Sequence, residues 1–286
     1  MNIREVGKKI KSVGNVKKIT HALQLVSAVK MKKAQEAAAE AASYQEFLER
    51  SIRRVGSSIN PQYSAVLQVD ASAASKRLLI VVSSNKGLCG AFNLNLFRFF
   101  QQHTEKGSHD VVVVGKKGGI LSVQLGHTVA ADFSSHTPLT NVGALFDFVL
   151  SGYIEGRYSS VSVVYNKFIS SFHVEPTIDQ LLPFQMNTVV GGNSEYRHGE
   201  YAIEPSPESI IDALLKSYIE EKIRYAIMQS EAGEHSARMM AMKNATDNAK
   251  EVVSSLTSLK NKLRQQKITY ELLDMITAKE SVEQSA

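Results

Sequence analysis

Both ends of this chain are composed for long helices, and the stretch between them is not. All six prolines lie between Pro61 and Pro207, and 13 of the 17 glycines lie between Gly87 and Gly199. Residues 1–56 carry only Gly7, Gly14 and Gly56 as helix-weakening residues, and residues 208–286 carry only Gly233. The 286 residues therefore divide into a predicted N-terminal helix over 1–56, a middle domain over 57–205 and a C-terminal helix over 206–286. In the first part Ile3, Val6, Ile10, Val13, Val16, Ile19, Leu23 and Val26 recur at intervals of three and four, the stripe of an amphipathic helix. The stripe continues through Met31, Ala34, Ala38, Ala41, Tyr44, Leu48 and Ile52, with alanines small enough to let a neighbouring backbone come close.

The C-terminal part opens on Ser206-Pro207-Glu208, a capping serine followed by proline at the first helical position. Ile210, Leu214, Tyr218, Ile223 and Ile227 follow, and Gly233 is the expected interruption. Beyond it Ala245, Ala249, Val252, Leu256, Leu259, Leu263, Gln266, Tyr270 and Leu273 alternate four and three, which predicts a heptad seam. Helices of this length draw most of their stability from packing an apolar face, so the two ends are expected to pair antiparallel. The C-terminal one is longer, and its overhanging apolar tip needs shelter from another protein.

Between them, strand and helix patterns alternate. Residues 78–83, 111–115, 128–133, 161–168 and 172–181 read as strands, and residues 93–103, 120–125 and 141–154 as helices. The expected fold is α/β: a long antiparallel coiled coil of N- and C-terminal helices with an inserted Rossmann-like α/β domain.

Composition narrows the function. At 43% hydrophobic and 21% charged, the chain can build a core and is not a disordered or fibrous sequence. Its apolar runs are strand-sized, too short for a membrane span. The start has no apolar stretch behind its charges and reads as neither a secretion signal nor a transit sequence. Cys89 stands alone, so there is no internal disulfide and no cysteine cluster for zinc or iron–sulfur. The eight histidines form no His-x-x-x-His pair, and no metal site or cofactor is expected. The net charge of +5 is concentrated: residues 1–33 hold nine Lys and Arg against Glu5 alone. Such a block suits nucleic acid, an anionic membrane or an acidic protein, or is simply a solvated face.

The fold class invites an enzyme reading, with Ser84-Asn85-Lys86-Gly87-Leu88-Cys89-Gly90 where a phosphate loop would sit. Neither this loop nor Val114-Gly115-Lys116-Lys117-Gly118-Gly119 has the phosphate-loop or dinucleotide spacing, so both read as structural turns. Cys89 has no local histidine and reads as a small buried thiol rather than a nucleophile. No catalytic residue is expected.

Three ordered segments then point to a family. Ile19 to Ala34 resembles the N-terminal helix of the γ subunit of F-type ATP synthases, Lys86-Gly87-Leu88-Cys89-Gly90 resembles its central loop, and Glu231 to Ala249 resembles its C-terminal signature. Tyr201 to Pro205 is similar to the lead-in of its second helix. The resemblance implies a non-catalytic central-stalk rotor that couples proton or sodium flow to ATP synthesis. Its implied partners are the α and β subunits of the catalytic hexamer, the ε subunit and the c-ring, with no nucleic acid. It also implies a peripheral place on the cytoplasmic face of a bacterial inner membrane, reached through the complex. Lys30, Met31, Lys33, Arg264, Gln265 and Thr269 are the implied contacts to β, and Tyr201 and Glu204 face the c-ring and ε. After Thr269 the tail departs from the family's small-residue ending. The alternatives are a basic coiled-coil protein that binds nucleic acid and a nucleotide-dependent α/β enzyme.

Overall fold

Ser206 caps the last helix by accepting the Ser209 amide on its hydroxyl at 3.4 Å, the bond of an N-cap to the third helical residue. With that cap and no later proline, the final helix runs unbroken from Pro207 to Glu283, 77 residues, and Gly233 does not interrupt it. Its counterpart at the other end, α1, spans Ile3–Gly56, 54 residues. Between them lie β1 (Arg77–Val82), α2 (Phe92–His103), β2 (His109–Val114), α3 (Lys116–Gln124), β3 (Thr128–Asp132), α4 (Val142–Ile154), β4 (Ser160–Ser170) and β5 (His173–Leu182). The last helix is α5. This computed structural model describes residues 2–56, 64, 66, 76–105, 107–135, 137–184, 204 and 206–283. The chain forms two compact units, one of Met1–Val26 with Met239–Ala286 and one of Ser27–Arg238.

In the larger unit the strands form one sheet in the order β3-β2-β1-β4-β5. The first four are parallel and β5 returns antiparallel against β4. This is the doubly wound arrangement that alternating strands and helices predict. Because side chains alternate across a strand, β1 divides its residues between two cores. Leu78, Ile80 and Val82 pack with α4 and with Ile219, Ile223, Ala226 and Ile227 of α5. Leu79 and Val81 pack with Leu96, Phe97 and Phe100 of α2 on the opposite face.

A third cluster joins Leu48, Ile52 and Val55 of α1 to Ile211, Leu215 and Tyr218 of α5. Tyr218 donates its hydroxyl to Glu49 at 2.8 Å, and burial followed by that carboxylate pushes the phenol pKa up. Further toward the N-terminus of α1, Lys30 and Lys33 act electrostatically on Glu231 of α5. Here the two helices run antiparallel. The covered face of α1 within this unit reads Ser27, Met31, Ala34, Ala38, Ala41, Gln45, Leu48, Ile52 and Val55, alternating four and three.

In the smaller unit the seam differs from the sequence-based expectation. The covered line is Val6, Ile10, Val13, Lys17 and Thr20 on α1, and Met242, Thr246, Ala249, Val253 and Leu256 on α5. Val16, Ile19 and Val26, expected inside, are exposed. So are Val252 and Leu259, at 46% and 37% exposure, and Tyr270 and Leu273 beyond them. The covered line includes one pair of threonines. The Thr246 and Thr20 hydroxyls lie 2.8 Å apart across the seam, and each also meets a carbonyl of its own helix, Met242 at 2.8 Å and Lys17 at 3.1 Å. With the hydroxyls satisfied in this way, the seam accepts polar residues that an apolar count passes over. From residue 264 to residue 279 every side chain of α5 is exposed in this chain.

Candidate functional site

The carboxyl ends of the parallel strands are where doubly wound folds take ligands. In this chain that end is filled by protein. Ser83, following β1, accepts the Gly118 amide on its hydroxyl at 2.7 Å and donates to the Gly115 carbonyl at 2.8 Å. A Cβ on Gly115, whose φ is +107°, would lie 2.0 Å from the Ser83 carbonyl oxygen, and one on Gly118 would lie 2.8 Å from the Ser83 hydroxyl. The second glycine-rich turn is therefore glycine because backbone meets backbone there, not because a phosphate must approach.

The loop after β1 is committed in the same way. Asn93, in the first turn of α2, accepts the Ser84 amide at 3.2 Å and donates to the Ser84 hydroxyl at 2.7 Å. Asn85 donates to the Ser135 carbonyl at 2.7 Å and accepts the Lys116 amide at 3.2 Å. Cys89 is buried against Ser84 and Asn93 with its sulfur 3.8 Å and 3.4 Å from them, the small buried thiol that the sequence suggests. Leu88 takes a positive φ of +63° and stands exposed at the loop tip.

One stretch of α5, Gln229 to Arg238, holds this end together. The Gln229 carboxamide oxygen accepts the Phe168 amide at 3.1 Å, Ser230 donates to the Val82 carbonyl at 3.4 Å, and Ser236 donates to the Ser171 carbonyl at 2.7 Å. Arg238 closes the set. Its guanidinium donates to the Lys86 carbonyl at 3.1 Å, to the Gly87 carbonyl at 3.3 Å and to the Glu234 carboxylate at 2.6 Å. It also meets His235 Nδ1 at 3.3 Å. An arginine can only donate, so Nδ1 is the unprotonated nitrogen and Nε2 carries the proton toward Glu231, 3.6 Å away. His235, with Lys30 and Lys33 farther off, holds Glu231 below the usual carboxylate range despite its burial.

Gly233 sits in the middle of this stretch because Val174 of β5 and Phe92 of α2 press against it. A Cβ there would stand 2.9 Å from a Val174 methyl and 3.4 Å from the Phe92 ring.

The residues implied as partner contacts lie differently. Lys30 and Lys33 are exposed on α1 beside the α5 lock, and Met31 is half-buried between them. Arg264, Gln265 and Thr269 are exposed, and Thr269 donates only to the Gln265 carbonyl of its own helix at 3.0 Å. The two trios belong to different units. Glu204 is exposed, and Tyr201 lies outside the described residues. Sequence reasoning included Glu231, Glu234, His235 and Arg238 in a family signature without giving them a task. Their spacing was the available signal, since i, i+3 and i+4 residues meet on one helix face.

Among the described residues no helix is long and apolar enough to cross a membrane. Residues 2–282 match the family described as ATP synthase. The chain is 37% identical over 285 residues to the ATP synthase gamma chain of Verminephrobacter eiseniae, covering 96% of each. It is 34% identical to the one from Thiobacillus denitrificans, over 98% of this chain and 99% of that one. It is 32% identical to the one from Akkermansia muciniphila, over 99% of both. Its fold resembles a chain in the cryo-EM structure of Euglena gracilis mitochondrial ATP synthase, OSCP/F1/c-ring, with a TM-score of 0.71 at 16% identity, covering 98% of this chain and 94% of that one. It also resembles a chain of the Tetrahymena thermophila mitochondrial ATP synthase central stalk/c-ring, with a TM-score of 0.59 at 21% identity, covering 79% of this chain and 99% of that one. The chain belongs to the ATP synthase gamma chain family.

Proposed function

We propose that this chain turns as the central shaft of an F-type ATP synthase and carries no chemistry of its own. Paired terminal helices would stand inside a hexamer of α and β subunits, and the α/β portion would meet ε and the c-ring. Lys30, Met31 and Lys33 on α1, with Arg264, Gln265 and Thr269 on α5, are the proposed contacts to β, and Glu204 and Tyr201 the proposed contacts to ε and the c-ring. Residues 1–56, 57–205 and 206–286 are the proposed functional parts. The complex would place the chain at the cytoplasmic face of a bacterial inner membrane.

The observation that best supports this reading, beside the family match, is the exposed apolar surface of the smaller unit. Val16, Ile19 and Val26 on α1 and Ile268, Leu272, Met275 and Ile276 on α5 are all exposed in the isolated chain. Exposed apolar side chains recurring along both helices in this way suit a protein partner. A basic helix bound to nucleic acid would not need it, which together with the family removes that alternative.

Purification of the full chain co-expressed with α and β tests the proposal. A stoichiometric complex that hydrolyses ATP and rotates a bead fixed to this chain is expected. A chain that never assembles with them would refute the shaft reading.

A further inference from the structure

The opposite end of the sheet from the α5 lock holds a depression of about 590 Å³, lined by Arg77, His103, His109, Ser160, Ser162 and Gln180 among others. Its residues come together through strand register. Arg77 of β1 pairs with His109 of β2 on one side and with Ser160 of β4 on the other. One row further in, Ser162 of β4 pairs with Gln180 of β5. Neighbouring strands lie about 4.8 Å apart, so these polar groups form a compact patch on the face that α2 covers only in part.

Three features give that patch a chemistry. No carboxylate lines it, and Arg77 makes no ion pair among the described residues. The two imidazoles are also held in one orientation. Ser108 lies 2.8 Å from the Glu105 carbonyl and 2.6 Å from His109 Nδ1, so its hydroxyl ties that ring through Nδ1 to the turn before β2. His103 Nδ1 lies 2.8 Å from the Phe99 carbonyl, which can only accept, while its ring stacks on Phe99 at 4.1 Å. In both rings the geometry engages Nδ1, and no hydrogen bond among the described residues engages Nε2. Burial first and Arg77 second hold His109 below the usual histidine range, with His127 adding to this and Glu105 opposing it. An arriving anion would relieve that cost.

We propose that this depression binds a tetrahedral oxyanion of the phosphate class, free or carried on a small molecule, with Arg77 as its main ligand, Ser160 as a donor and His109 taking up a proton on binding. The planar guanidinium fork matches such an anion in two directions at once. Proton uptake by His109 makes the affinity rise as pH falls through its pKa, and by reciprocity the anion raises that pKa. The site stands whether or not the chain works as a shaft.

The test uses the full-length chain with ¹⁵N-labelled histidine, following imidazole signals during titration with sulfate, inorganic phosphate and adenosine monophosphate, chloride holding the ionic strength constant. Sulfate keeps its charge between pH 5 and pH 8, so any pH dependence of its binding belongs to the protein. The expected result is a saturable shift of His109, tighter for sulfate at lower pH. Arg77→Gln should weaken it about tenfold or more, the scale of a lost charge-assisted pair. Ser160→Ala should weaken it less, and Lys167→Gln, on an exposed part of β4, should leave it unchanged. Tighter binding of the nucleotide than of inorganic phosphate would identify a nucleotide as the carrier, and equal binding would identify the free ion. Shifts that follow ionic strength alone, or that persist in Arg77→Gln, would overturn the proposal. So would Zn²⁺ binding at His103 and His109 that Arg77→Gln strengthens, since that is a metal site.

Discussion

Replacing Gly233 with alanine sets two opposed effects against each other, and the structure decides between them. In an exposed helix interior, alanine is worth about 1 kcal/mol over glycine. Gly233 is buried, and the new methyl would lie 2.9 Å from Val174 Cγ1, 3.4 Å from Phe92 and 3.5 Å from the second Val174 methyl. Val174 is β-branched and stiff about χ1, and Phe92 is itself buried at the start of α2. Forcing a methyl into such packing costs about 1–3 kcal/mol, so Gly233→Ala should destabilise the chain by about 1 kcal/mol net. Urea unfolding followed by tyrosine near-ultraviolet circular dichroism measures this. The double-mutant cycle with Val174→Ala isolates the contact, with an expected coupling of about 1 kcal/mol or more. A Gly233→Ala chain more stable than the parent would show that the contact is slack and that the glycine has no packing role.

Three other outcomes follow from the same residues. Thr246→Val leaves the Thr20 hydroxyl without its seam partner and should lower stability by about 1 kcal/mol, whereas Thr20→Val with Thr246→Val should recover it; thermal melting of the three chains distinguishes these cases. Arg238→Lys replaces a fork that holds Lys86, Gly87, Glu234 and His235 with a single ammonium, and amide hydrogen exchange in residues 86–90 should quicken at least about tenfold. Glu231 has its pKa lowered on folding, so its contribution is present above the unfolded carboxylate pKa of about 4.3 and is lost as pH falls through the folded value. Glu231→Gln should therefore flatten the stability profile below about pH 5 and leave its slope near pH 7 unchanged.

Element order and type were legible because they depend on local patterns. The apolar run from Leu78 to Val82 is a central strand, and Ser206-Pro207 opens α5 where a cap and a proline say it should. What stayed hidden was set by contacts distant in sequence. Gly233 reads locally as a break, yet it is the point where β5 and α2 press on a continuous helix. Val252 and Leu259 read as seam residues, yet the covered line is the neighbouring one, where Thr246 meets Thr20 from 226 residues away. At the candidate site, the glycine loops were correctly legible as turns, but not their reason, because Ser83 and Arg238 reach them from other elements. The row of Arg77, His109 and Ser160 was invisible for the same reason, since only strand register makes these residues neighbours.

The α/β portion keeps the topology of a ligand-binding fold while giving its ligand end to a helix, and the way that helix is held fits a mechanical part better than an enzyme. Ile219, Ile223, Ala226 and Ile227 bury one stripe of α5 against the sheet. A stripe alone resists separation but resists sliding or twisting weakly, because apolar contact is non-directional. Directional bonds supply what is missing. Gln229, Ser230, Ser236 and Arg238 engage β4, the end of β1, the β4–β5 hairpin and the loop after β1 in under three turns of helix. Turning α5 about its own axis within this unit would break all four attachments together, at about 0.5–1.5 kcal/mol each and more for the charged one. Gly233 lies between them, where Val174 and Phe92 leave no room for a side chain to ride over. A helix anchored in this way passes a twist to the sheet instead of slipping in its groove, which is the property a shaft requires of its mounting.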